Sequence, residues 1–171
     1  PTEIQDNLFF GAAADRWFLK NGGGRKELEL QPWYNSLVGG SFPIRRGGGS
    51  KTLDYSKWLL SKGANLAIFP EGTRSTSRSM ARFKYGVAIL ALEMKVPIVP
   101  CYLTGLAKLR PKGTREIFPG PASANYQAPI YLPDDISVPD ATKLIYDSLN
   151  TVHHRVLEHG DGAAAWGWQG N

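Results

Sequence analysis

One cysteine in 171 residues leaves no partner for an internal disulfide. Such usage fits a reducing compartment. The lone Cys101 sits in an apolar run and reads as a packing residue rather than a nucleophile. No stretch approaches the about 18 consecutive apolar residues that a spanning helix needs. Histidine is scarce too: His153, His154 and His159 are the whole supply. Acidic residues number 15 against 20 basic ones, a net charge of +5 and a pI near 9.4. That balance points to acidic partners: anionic lipid, phosphorylated metabolites or nucleic acid. No nucleic-acid-binding motif accompanies it. The chain opens on Pro1-Thr2-Glu3 rather than on Met, which reads as the interior of a longer reading frame.

What is present fits one globular domain: 42% hydrophobic and 20% charged residues are enough for a core, with no composition typical of long disorder. Residues 1–159 read as that domain and 160–171 as a flexible tail. The stretch Phe69-Pro70-Glu71-Gly72-Thr73-Arg74-Ser75 stands out within it. It follows an apolar run, Asn65 to Phe69, with strand character. In open α/β sheets ligands sit outside the carboxyl ends of strands, so a carboxylate, a hydroxyl and a guanidinium placed there mark a candidate site. A Pro-x-Gly turn carrying ordinary surface charges is the competing reading.

Ahead of it, Asn7 to Ala14 and Ser41 to Ile44 read as short strands, with Pro43 arguing for an edge or an end. Between them Trp33-Tyr34 and Leu37-Val38 suggest a helical turn against the core or rings at a membrane interface. Arg45-Arg46 and Gly47-Gly48-Gly49-Ser50 then lead into a helix from about Lys51 to Lys62, closed by Gly63. Leu53, Tyr55, Trp58 and Leu59 are its expected apolar side. Two arginines, a glycine loop and a helix start suit an anion, though no Gly-Lys-Ser/Thr follows to make a Walker loop. Arg74, Arg78 and Arg82 recur every four residues, with Lys84 behind them, as a helix face or a basic loop.

Tyr85 to Met94 is apolar nearly all round and predicts a buried helix. Val96 to Leu103 predicts a strand, so that 65–69, 85–94 and 97–103 compose a βαβ unit. A basic loop spans Lys108 to Pro121, and Glu116–Phe118 and Pro129–Leu132 suggest short strands. Ser137 with Asp140 resembles a capping box ahead of a helix whose Ala141, Ile145, Leu149, Val152 and Val156 form one stripe. The three histidines close that helix. His154 and Glu158 at four-residue spacing are a weak metal pair beside the ordinary reading, surface imidazoles at a helix C-terminus. There is no serine elbow.

Phe69-Pro70-Glu71-Gly72-Thr73-Arg74-Ser75, Phe83-Lys84-Tyr85-Gly86 and Val96-Pro97-Ile98-Val99-Pro100, in this order and spacing, resemble the glycerolipid acyltransferase family of lysophosphatidate (1-acyl-sn-glycerol-3-phosphate) acyltransferases. Gly40-Ser41-Phe42-Pro43-Ile44-Arg45-Arg46 resembles the block that precedes them, and the likeness covers about residues 8 to 155. It implies an α/β domain with a mixed, largely parallel sheet wrapped by helices, acting at the cytoplasmic face of a membrane. The implied reaction is O-acyl transfer from acyl-CoA or acyl carrier protein to a lysophospholipid acceptor, with no other cofactor, no metal and no nucleic acid. By resemblance Arg45 or Arg46 holds the acceptor phosphate. Many members have Asp-Arg there, which favours Arg46. Glu71, Gly72, Thr73 and Arg74 shape the same site, and Val96 to Pro100 support the donor side.

The family's catalytic block is a His followed five positions later by an Asp, the base and its orienting acid. No His of this chain has that Asp. The resemblance puts the block before the strand at Leu8, so the chain is expected to be an N-terminally truncated acyltransferase, inactive alone. A non-catalytic anionic-lipid-binding module on the same fold is the alternative.

Overall fold

A computed structural model describes residues 7–13, 40–44, 53–73, 79–111 and 116–159. The expectations for 14–20, Trp33 to Val38, the Gly47–Ser50 loop, Arg78, Lys112, Arg115 and 160–171 lie outside these. The chain divides into two compact units, Pro1–Gly72 and Thr73–Asn171.

In the first unit three parallel strands form one sheet in the order β2-β1-β3: β1 Leu8–Ala13, β2 Ser41–Ile44 and β3 Asn65–Ala67. Phe10 pairs with Ser41 on one side and with Ala67 on the other. Pro43 donates no hydrogen bond, which suits the outer position of β2 among the described strands. A Cβ at Gly11 would meet the far end of the Ile44 side chain, which would have to shift to admit it.

Helix α1 (Asp54–Ser61) lies between β2 and β3 and ends where the chain turns at Gly63, φ +78. Leu53 at its start, Ser56 and Leu59 are buried at three-residue spacing, and Phe42 of β2 is 1% exposed. This corrects the expected apolar side. Tyr55 and Trp58 are about half exposed and stack on each other, ring centroids 5.5 Å apart. One turn apart, the two rings shelter each other at the surface while a serine takes the inward position.

The second unit is built on helix α2 (Gly86–Met94), strands β4 (Cys101–Thr104) and β5 (Ser123–Tyr126), the short helix α3 (Leu106–Leu109) and the long helix α4 (Val138–His159). Its core joins Phe83 and Ala88 to Ala141, Ile145 and Leu149, with Phe83 meeting Tyr146 edge to face at 5.1 Å. The whole α4 stripe is buried, Val152 and Val156 included. At its start the Ser137 hydroxyl accepts the Asp140 amide at 3.2 Å and donates to the Asp140 carboxylate. This is the serine half of a capping box, with the Asp140 carboxylate held by the Ser137 hydroxyl.

The expected βαβ unit does not form. β3 pairs with β1, whereas β4 pairs antiparallel with β5, Cys101 opposite Tyr126. The 97–103 strand is also shortened, because Pro97 and Pro100 lack amide hydrogens to donate. Ile98 makes an isolated bridge to Ile130, its amide donating to the Ile130 carbonyl at 3.0 Å. Glu116 to Phe118 is no strand, and Pro129–Leu132 contributes only the Ile130 bridge.

Candidate functional site

Because β1, β2 and β3 run parallel, their carboxyl ends lie at the same end of the sheet. The next two residues after β2 are Arg45 and Arg46. The segment after β3 is Ile68 to Gly72. The order β2-β1-β3 also reverses direction about β1, the topology at which open α/β sheets leave a crevice beyond their carboxyl ends.

The leaving segment of β3 is a defined turn. The Gly72 amide donates to the Phe69 carbonyl at 3.0 Å, so Phe69 to Gly72 close a four-residue turn. Pro70 in its second place and Gly72 in its fourth are the residues a type I turn favours. Gly72 has φ +66, a conformation that an L side chain strains to adopt. Phe69 is 56% exposed, Glu71 and Gly72 are half-buried, and Thr73 is exposed. Glu71 and Gly72 belong to the first unit and Thr73 opens the second. Arg45, Arg46 and Arg74 lie outside the described residues.

From Ser79 to Lys84 the chain is not helical, so Arg82 and Lys84 are exposed loop cations rather than one helix face. Val96 is half-buried, Ile98 is tied to Ile130 and Pro100 is buried. These residues link α2 to β4.

The histidines divide. His154 is exposed, but His153 is 6% exposed and takes a 2.7 Å hydrogen bond with the Tyr102 hydroxyl at Nδ1. That corrects the reading of all three as surface imidazoles. His153 occupies the residue after Val152, where a broad buried stripe on α4 includes it. Among the described residues no group of three or more His, Cys, Asp or Glu is placed to hold a metal. Cys101 is partly buried, and burial raises its thiol pKa while a Tyr126 hydrogen bond opposes the rise. No helix of the described residues is long and apolar enough to cross a membrane.

Comparison with known proteins agrees with this arrangement. Residues 22–104 match the family model described as Acyltransferase. A chloroplastic 1-acyl-sn-glycerol-3-phosphate acyltransferase of Brassica napus is 34% identical over 125 residues, covering 70% of this chain and 36% of the relative. The corresponding enzyme of Limnanthes douglasii is 38% identical over 91 residues, 52% of this chain and 32% of the relative. The human alpha enzyme is 30% identical over 113 residues, 64% and 39% respectively. The chain thus spans about a third of the length of the first of these relatives. The crystal structure of the 1-acyl-sn-glycerophosphate acyltransferase PlsC of Thermotoga maritima superposes with a TM-score of 0.66 over 88% of this chain and 57% of that one, at 19% identity, a likeness of fold. By its blocks, its relatives and its fold, the chain belongs to the glycerolipid acyltransferase family.

Proposed function

We propose that the protein containing this chain moves an acyl group from acyl-CoA or acyl carrier protein to the free hydroxyl of a lysophosphatidate-like acceptor. In that reaction the hydroxyl oxygen attacks the thioester carbonyl, the carbon–sulfur bond breaks, and the hydroxyl proton leaves through a base to the departing thiol. This chain supplies the acceptor side. Arg46, or Arg45, and Arg74 pair with the phosphate, for which a guanidinium fork is well shaped. Glu71, Gly72 and Thr73 shape the site around it. The base is a His supported by an Asp, a pair this chain does not contain. The protein works at the cytoplasmic face of a membrane, where the net positive charge of +5 favours anionic lipid.

The observation that carries this reading is topological. The carboxyl ends of the parallel strands β2 and β3 lie at the same end of the sheet, and the residues that follow them in sequence are those to which the family resemblance gives the acceptor. The test is steady-state kinetics of the longer protein with lysophosphatidate. Loss of a charge-assisted phosphate contact is worth roughly 2–3 kcal/mol, or about 30- to 150-fold in kcat/KM. Arg46→Ala and Arg74→Ala should each show a loss of that order, and Glu71→Ala should raise KM or abolish turnover. Unchanged kinetics in all three would overturn the assignment.

A second reading rests on the absent His and Asp pair: an anionic-lipid-binding module on the same fold. It predicts lysophosphatidate binding by the longer protein, sensitive to the same substitutions, with no ester formed from any acyl thioester.

A further inference from the structure

On the second unit, the edge-to-face pair Phe83–Tyr146 floors an open cleft of about 370 Å³. Tyr85, Pro139 and Thr142 also line it. The lining is largely apolar, yet two cations stand at its mouth, Arg82 from the loop before α2 and Lys143 from the first turns of α4. They are not equivalent. Lys143 is committed to Asp147, four residues along the same helix, and that contact raises its pKa. Arg82 is exposed and makes no ion pair among the described residues. None of these residues belongs to the acceptor-side set Arg45, Arg46 and Glu71 to Arg74.

An apolar hollow with one uncommitted guanidinium at the rim matches a ligand with one apolar chain and one anionic end. Its volume is in the range of small-molecule sites, roughly 300–1,000 Å³, and too small for a folded segment. A planar guanidinium donates two parallel hydrogen bonds to a carboxylate, a geometry that an ammonium does not offer. Aromatic faces and a proline ring suit methylene groups, which gain about 0.8 kcal/mol for each one buried.

We propose that this cleft binds a single-chain fatty acid, its methylenes on Phe83, Tyr146, Tyr85 and Pro139 and its carboxylate at Arg82. Binding is non-covalent and requires no turnover, so the site stands whether or not the acyl-transfer reading does.

Calorimetric titration of the full chain with dodecanoate, dodecyl maltoside and dodecyltrimethylammonium, each below its micellar concentration, tests the head-group requirement. Dodecanoate should saturate one site about tenfold or more tighter than either of the others. Arg82→Gln should weaken dodecanoate about tenfold and leave dodecyl maltoside unchanged. Because Arg82 is an exposed loop residue, the substitution spares the core. A diazirine-bearing dodecanoic acid, photolysed on the unaltered chain, should label peptides containing residues 82–85 and 139–146. Equal affinity for the three head groups, dodecanoate binding indifferent to Arg82→Gln, or label confined to other peptides would each overturn the proposal.

Discussion

The Tyr102 hydroxyl and Nδ1 of His153 lie 2.7 Å apart, joining strand β4 to helix α4 in the interior of the second unit. The rings are tilted at 49° with centroids 5.9 Å apart, so packing and hydrogen bonding act on the same pair. Deleting the hydroxyl leaves a ring nitrogen buried without this partner, a loss of about 1–3 kcal/mol. Tyr102→Phe should therefore lower the denaturant midpoint without changing the slope. An unaltered midpoint would mean that water reaches the imidazole in its place.

Gly105 carries two demands at once. Its φ is +80, and a Cβ would fall inside contact distance of the Pro121 carbonyl oxygen and close to the Ala122 Cα. Gly63 has nearly the same φ, +78, with nothing within 4 Å of the added carbon. Gly63→Ala should cost the backbone term alone, about 1–2 kcal/mol. Gly105→Ala should cost clearly more, because backbone rather than a flexible side chain must give way. Urea unfolding of the two variants side by side reads the difference, and equal losses would show that residues 121–122 move freely.

These elements also show what the sequence made legible. Helix α4 was readable to its last buried residue, because five apolar positions at helical spacing and a capping Ser-Asp pair are local signals that agree with one another. The β4–β5 ladder was not. Ser123-Ala124-Asn125-Tyr126 has no β-branched residue, and its partner is chosen by tertiary pairing rather than by local preference. At α1 the expected Leu53 and Leu59 are inward, but Ser56 takes the place between them that hydrophobicity gave to Tyr55 and Trp58. In the candidate site, the turn at Phe69 to Gly72 was legible because proline and glycine act locally. That the carboxyl ends of β2 and β3 lie at the same end of one sheet required the sheet order, which no local pattern contains.

Ser56 is 1% exposed and its hydroxyl finds no hydrogen-bond partner among the described residues. Alanine is the better helix former and removes the buried polar atom at the cost of a very small void. Ser56→Ala should stabilise the chain by about 1 kcal/mol, measured by chemical denaturation. A destabilisation would show that the hydroxyl is hydrated or bonded in solution.

Burial raises the Cys101 thiol above its ordinary value, more than the Tyr126 hydrogen bond lowers it. The thiolate is the reactive species, so alkylation by iodoacetamide should be slower than for a free thiol at pH 8 and should accelerate through higher pH. The linked effect on stability has a fixed sign. The folded state holds this proton more tightly, so the thiol's contribution is complete below its unfolded pKa and is lost as pH rises through the folded value. Cys101→Ser should remove that segment of the pH–stability profile. Alkylation as fast as free cysteine at pH 8 would contradict the burial effect.

The 171-residue chain on its own should transfer no acyl group from palmitoyl-CoA to lysophosphatidate, because its imidazoles are unsuited to the proton step. General-base catalysis needs an imidazole within about 3 Å of the hydroxyl it deprotonates, or one water away, and usually a carboxylate to orient it. His153 is buried with Nδ1 given to Tyr102, and no His in the chain has an Asp five positions on. Binding is a separate matter. The residues proposed to hold the acceptor do not require the base, so on that proposal lysophosphatidate should still bind the chain in a salt-dependent manner. Detectable ester formed by the purified chain, lost on His154→Ala, would show that the exposed imidazole of α4 performs the step assigned to the absent pair.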